Sequence, residues 1–79
     1  MTPNDLVKKG SRLLKKNNIK SHTLDSEMIL SSCIGKSRES FLLNSNFNLD
    51  TSQIDTFNQL INRRAIKKEP IAYLLNSKE

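Results

Sequence analysis

A complete start signal for a helix is present in Leu49-Asp50-Thr51-Ser52-Gln53-Ile54, and this signal decides the fold. Asp50 can cap the free backbone amides of the first turn, and Gln53 can return a hydrogen bond to the backbone of Asp50. Apolar residues then recur at three- and four-residue spacing as far as Lys68, which predicts one long amphipathic helix. Its predicted core face consists of Ile54, Phe57, Leu60, Ile61 and Ala65.

Proline and glycine mark the ends of the neighbouring helices. Pro70 lacks an amide hydrogen and disfavours helix in the residue before it, so it should end the long helix and open a short one through Leu75. Towards the N-terminus, Gly35 suits the left-handed position after a helix that begins around residues 21–23. The broad apolar face of that helix predicts a central position, packed on two sides. A short third helix is expected to follow, with an apolar cluster formed by Phe41, Leu42 and Leu43.

The N-terminal residues predict a further helix. Thr2 can cap it, Pro3 suits its first position, and it should end near Asn17. Residues 44–48 are a predicted loop, because short polar side chains compete for backbone hydrogen bonds. No segment alternates convincingly between apolar and polar residues, so no strand is expected. The predicted fold is therefore all-α, a small bundle of four to five helices within residues 1–75.

The length and the charge of the chain limit the classes of protein to which it can belong. A chain of 79 residues is expected to form one domain with a thin core. No apolar run approaches the ~20 residues that cross a bilayer, and basic residues interrupt the region where a signal peptide would lie. These features predict a cytoplasmic protein. The net charge of +5 is divided into +5 over residues 1–20, −3 over 21–62 and +3 over 63–79. Such basic ends can steer a charged partner.

The sequence lacks the residue patterns of a catalytic or cofactor site. Cys33 is the lone cysteine and His22 the lone histidine, which argues against a metal site. We expect Cys33 to be buried and His22 to be solvated. Two glycines cannot form a dinucleotide or S-adenosylmethionine loop. Asp25 and Glu27 point in different directions on a helix, so we expect them to complement its dipole. The chain alone is predicted to have no catalytic, cofactor-binding or metal site.

The basic residues are the one direct indication of function. Four of them form a stripe on the first helix, and the end of the long helix carries two pairs at four-residue spacing. Charge runs of this kind are most often solvated faces. A surface for a protein partner is the next interpretation, and nucleic acid is less favoured, since exposed aromatic residues for base stacking are not evident. The candidate partner-binding residues are Lys8, Arg12, Lys15, Lys16, Arg63, Arg64 and Lys67.

Several short strings follow one another in the order and spacing of a known family. The most specific is Glu69-Pro70-Ile71-Ala72-Tyr73, which follows Arg63-Arg64. Earlier strings are Asp25-Ser26-Glu27-Met28-Ile29-Leu30, the turn at residues 35–38 and the helix start at residues 49–53. Together they resemble the N-terminal helical domain of the HemK/PrmC family over about residues 24–75. One departure is Asn76, where the family usually has glycine; both residues tolerate left-handed backbone.

The resemblance implies that the complete protein transfers a methyl group from S-adenosylmethionine to the glutamine of the Gly-Gly-Gln motif in class I peptide-chain release factors. It implies that residues 1–75 form a non-catalytic substrate-docking domain, and that residues 76–79 begin a linker to a methyltransferase domain. The expected partners are the release factor and that catalytic domain, and the chain is expected to be a monomer. The alternative, which rests on the two basic ends, is a stand-alone basic helical module that binds nucleic acid.

Overall fold

The chain folds into a helical bundle in a computed structural model that describes residues 1–43 and 47–76. The described part contains no strand, which confirms the all-α prediction. Part of the predicted loop, residues 44–46, and all but the first residue of the predicted linker, residues 77–79, lie outside the described residues. The helices in chain order are α1 Pro3–Lys16, α2 His22–Ile34, α3 Arg38–Leu43, α4 Thr51–Ile66 and α5 Ile71–Asn76.

The start of α4 has the local structure that its sequence predicts. The amide of Gln53 donates to Asp50 Oδ1 at 2.8 Å, and the amide of Asp50 donates to Gln53 Oε1 at 3.1 Å. This reciprocal pair satisfies backbone donors that the first turn of a helix leaves free. The helix ends at Ile66, two residues before the predicted end, because Lys68 adopts a left-handed conformation with φ of 57°. Pro70 then precedes α5, as predicted.

Helix α2 is the centre of the bundle, as its broad apolar face predicts. It packs against each of the other four described helices. Its C-terminus is closed by Gly35, whose φ of 70° is the left-handed value expected after a helix. The buried apolar core consists of Leu6, Val7, Leu14, Ile19, Ile29, Leu30, Phe41, Leu49, Phe57, Ile61, Ala65 and Leu74.

One apolar prediction was wrong in part, and another holds at the edge of the core. The predicted cluster on α3 is not compact, because only Phe41 enters the core, while Leu42 and Leu43 are 40% and 88% exposed. A helix of six residues that rests on one side of the bundle can bury only the residues of that side. On α4, Leu60 is half-buried beside the fully buried Phe57. It packs against the core from its edge.

Helix α1 packs closely on both α2 and α4 because Gly10 lies at the contact. A Cβ atom added to Gly10 would lie 2.7 Å from Phe57 Cζ, 2.7 Å from Ser26 Oγ and 3.0 Å from Ile61 Cδ1. Such distances are shorter than a carbon atom tolerates, so this approach requires a residue without a side chain. The buried hydroxyl of Ser26 also donates to the carbonyl of Val7 at 2.8 Å, which joins α2 to α1.

Candidate functional site

The seven candidate partner-binding residues divide into two groups in the structure. Those on α1 are all exposed, and none forms an ion pair with another described residue. Those near the end of α4 are different, because two of the three are bound to acidic groups of the same chain. The structure therefore separates one free basic surface from one that is largely used to hold the fold together.

Arg64, which was predicted as a partner-binding residue, is bound within the chain in this structure. Its Nε donates to Asp25 Oδ2 at 3.0 Å, and its Nη1 donates to the carbonyl of Glu69 at 3.0 Å. Asp25 is only 4% exposed, and it also accepts a hydrogen bond from Ser21 Oγ at 3.0 Å. The predicted role of Asp25 as a surface complement to the helix dipole is thus incomplete, because its main partner is an arginine of α4.

Arg63 is also bound within the chain. Its Nη2 lies 2.7 Å from Glu69 Oε1. The hydrogen bonds to Glu69, reinforced by the charge of that carboxylate, raise the pKa of Arg63 above its ordinary value. Lys68 Nζ donates to the carbonyl of Asn17, in the turn after α1. Lys67 is exposed and forms no ion pair among the described residues, so it alone of the three candidates in this region keeps its charge free.

A groove of about 300 Å³ lies between α1 and the start of α2. We call it the basic groove, because three of its lining side chains are cationic. The α1 residues occur at spacings of three and four, which place them on one side of the helix. Lys16, which was predicted on the same stripe, is not among the lining residues. The basic groove is lined by Val7, Lys8, Ser11, Arg12, Lys15, His22 and Thr23.

Hydroxyl and imidazole groups join the two walls of the basic groove. Ser11 Oγ lies 2.7 Å from His22 Nδ1 and 3.2 Å from Thr23 Oγ1, and Thr23 Oγ1 lies 3.2 Å from His22 Nδ1. His22 is half-buried and hydrogen-bonded, so the expectation that it is solvated was wrong. The sequence gives no signal for the contact between Ser11 and His22. This contact depends on the turn after α1, which brings the first residues of α2 back beside α1.

That turn is fixed by residues 17–19. The backbone of Asn18 is left-handed, with φ of 67°, and the side chain of Asn17 donates to the carbonyl of Leu13 at 2.9 Å. Ile19 then enters the core with only 8% of its surface exposed. The left-handed residue reverses the chain direction, and the buried isoleucine holds the reversed chain in place. The first residues of α2 are thereby set beside α1.

We expect Arg12→Glu to stabilise the isolated chain by about 1 kcal/mol, which corresponds to about 4–8 °C in Tm. The neighbours of Arg12 at positions −4, −3, +3 and +4 are Lys8, Lys9, Lys15 and Lys16. Each like-charged pair at this spacing weakens the helix, and glutamate would turn all four into attractive pairs. Thermal unfolding followed by circular dichroism at low salt measures the shift. A lower Tm for Arg12→Glu would show that the cations are held by contacts other than those described.

No cluster of three or more His, Cys, Asp or Glu side chains within residues 1–43 and 47–76 could hold a metal ion. Cys33 is half-buried in the structure. No strand followed by a glycine-rich turn occurs among these residues either. None of the described helices has the length and apolar character of a membrane span.

Comparison with known proteins agrees with the resemblance found in the sequence. The model of the PrmC N-terminal domain family matches residues 5–75. The chain is 36% identical over 74 residues to a protein of Rickettsia felis named bifunctional methyltransferase, and the alignment covers 94% of this chain and 14% of that protein. The chain thus spans about a seventh of the length of this relative. No solved structure matches. The chain belongs to the PrmC N-terminal domain family.

Proposed function

We propose that this chain is the release-factor-recognition domain of an S-adenosylmethionine-dependent protein-(glutamine-N5) methyltransferase. The proposed substrate is the Gly-Gly-Gln motif of class I peptide-chain release factors. The match to the PrmC N-terminal domain over residues 5–75 carries the proposal, and the methyltransferase name of the relative supports it. A cytoplasmic location follows from this function, because release factors act on the ribosome.

A separate docking domain is useful to an enzyme whose substrate is a whole protein. Contacts far from the reacting group can supply the binding energy that positions the substrate for the chemical step. The described residues are suited to this task, since they form a bundle with exposed cations. We assign S-adenosylmethionine and the methyl transfer to a catalytic domain of a longer protein, since the chain matches only 14% of the methyltransferase relative.

The test is to delete residues 1–75 from the complete enzyme and to measure methylation of an intact class I release factor. We expect KM for the release factor to rise by about tenfold or more, because remote contacts are lost. The affinity for S-adenosylmethionine, measured by calorimetry, is the control for an intact catalytic domain and should not change. An unchanged KM, with the cofactor still bound, would contradict a role in substrate recognition.

The exposed cations of α1 also fit a second candidate function, that of a module that binds nucleic acid. Its affinity should fall steeply with salt, because each phosphate contact releases counterions. The structure favours it less than the first candidate, since Tyr73 is the one large aromatic side chain that is well exposed, at 58%, and it does not line the basic groove. Proteins that bind single strands usually stack bases on exposed aromatic residues. An absence of salt-dependent binding to RNA or DNA would eliminate this candidate.

A further inference from the structure

We propose that the basic groove is the part of this domain that binds the protein partner, and that its occupant is an acidic segment whose aspartate or glutamate carboxylates meet Arg12. The proposal rests on the proposed function, because the partner is taken to be the release factor. It narrows the candidate surface from seven basic residues on two helices to one groove between α1 and α2.

The first observation is the state of Arg12 compared with the other arginines. Arg38, Arg63 and Arg64 each form an ion pair within the chain, to Glu27, Glu69 and Asp25 respectively. Arg12 is exposed and forms no ion pair among the described residues. Since a guanidinium can bind a carboxylate through two parallel hydrogen bonds, this arginine is the one available for a carboxylate of another protein.

The second observation is the absence of charge compensation around Arg12. Its four neighbours on the same side of α1 are lysines, and no acidic side chain lines the basic groove. Like charges at these spacings weaken the helix, so the arrangement is unfavourable in the isolated domain. A partner that brings carboxylates into the groove would relieve the repulsion and would be attracted over a distance.

The third observation is the set of neutral polar groups between the cations. The hydroxyls of Ser11 and Thr23 and the ring of His22 also line the groove, and their polar atoms lie within 3.2 Å of one another. Hydroxyl groups can rotate to donate to an incoming carboxylate oxygen. The groove also lies beside the N-terminal end of α2, which adds to its positive potential.

The lining favours a protein segment over nucleic acid. The one apolar side chain of the groove is Val7, and no phenylalanine, tyrosine or tryptophan ring lines it for a base to stack on. The imidazole of His22 is half-buried and hydrogen-bonded to Ser11 and Thr23. The lining cations lie along about 10 Å of helix, since Lys8 and Lys15 are seven residues apart. Side-chain carboxylates on one short acidic segment can reach several of these cations at once.

The experiment measures, by calorimetry, the affinity of the 79-residue chain for a class I release factor in the wild-type form and in three variants. Arg12→Glu should weaken binding by about tenfold or more, because it places a carboxylate opposite the carboxylates of the partner. Arg12→Lys keeps the charge but loses the paired hydrogen bonds, so it should weaken binding by about threefold. Lys67→Glu is the matched control, because it makes the same change of charge on another exposed cation. Lys67 does not line the basic groove, and the loss of affinity in Lys67→Glu should stay below about threefold.

The Tm of Arg12→Glu, which is expected to be higher than that of the wild-type chain, separates a loss of binding from unfolding. Equal losses of affinity for Arg12→Glu and Lys67→Glu, or no loss for Arg12→Glu, would contradict binding in the groove and leave the proposed function standing. A wild-type chain that does not bind the release factor would overturn the proposed function, and the inference with it. A single-stranded RNA dodecamer that binds more tightly than the release factor, and loses affinity in Arg12→Glu, would show that the groove takes nucleic acid instead.

Discussion

Replacing Arg64 by alanine is expected to lower the free energy of unfolding by about 3 kcal/mol, a large part of the stability of so small a domain. The substitution leaves the carboxylate of Asp25, which is 4% exposed, with the hydroxyl of Ser21 as its one described side-chain donor. A buried charge without its counter-ion costs far more than the ion pair contributes when both partners are present. The substitution also removes the hydrogen bond to the carbonyl of Glu69. Urea unfolding followed by circular dichroism measures the loss.

The double variant Asp25→Leu with Arg64→Leu separates the ion pair from the cost of one unpaired charge. Its free energy of unfolding should fall by less than that of Arg64→Ala, because no charge remains buried. Lys67→Ala is the matched surface control, and its effect should stay within about 0.5 kcal/mol. A loss for Arg64→Ala no larger than that of Lys67→Ala would show that Arg64 does not support the fold, and would return it to the candidate partner surface.

Replacing Gly10 by leucine is expected to lower the free energy of unfolding by about 3 kcal/mol. Even a Cβ atom would lie 2.7 Å from Phe57 Cζ and from Ser26 Oγ, so the larger side chain must push α1 away from both neighbours. Gly10→Ala should cost less, because alanine favours helix over glycine by about 1 kcal/mol and offsets part of the strain. Chemical denaturation of both variants checks this order.

A second substitution tests whether the contact with Phe57 causes the loss. Phe57→Leu removes the ring atom that lies nearest the added Cβ, so the loss in Gly10→Ala should be smaller in a Phe57→Leu background than in the wild-type chain. Additive losses, or a stabilised Gly10→Ala variant, would contradict the close approach of α1 to α4.

Local signals predicted the helices, because caps and breakers act within a few residues. The pair Asp50 and Gln53, the left-handed Gly35 and the break before Pro70 all depend on neighbours in sequence, and all occur in the structure. The end of α4 was less well predicted, since the left-handed turn at Lys68 follows no residue type that favours it. What local signals cannot show is which helices meet. The ion pair from Arg64 to Asp25 joins residues 39 positions apart.

The candidate site was predicted only in part for the same reason. The spacing of Lys8, Arg12 and Lys15 is visible in the sequence, and it indicates a basic stripe. The contribution of His22 and Thr23 depends on the position of α2 against α1, which no local pattern specifies. The four lysines around Arg12 are the sequence signal for the role that we propose for it, because unrelieved repulsion on one side of a helix suggests a missing partner.

The strings that resemble the family contain residues that hold the fold together. Asp25 binds Arg64, Arg63 binds Glu69, and the hydroxyl of Ser26 binds the backbone of α1. These contacts explain how separate strings in the sequence act together in one structure. Because the residues of the most specific string hold the fold together, we do not place the partner there. The basic groove lies on α1, before the first of those strings.

The most direct test of the account is to add an unlabelled class I release factor to the ¹⁵N-labelled chain and to follow the amide chemical shifts. We predict saturable changes that concentrate on α1 and the first turn of α2, around Ser11, Arg12 and His22, with little change at the buried pair of Asp25 and Arg64. The absence of any change at saturating release factor would contradict the central claim that this domain recognises the release factor.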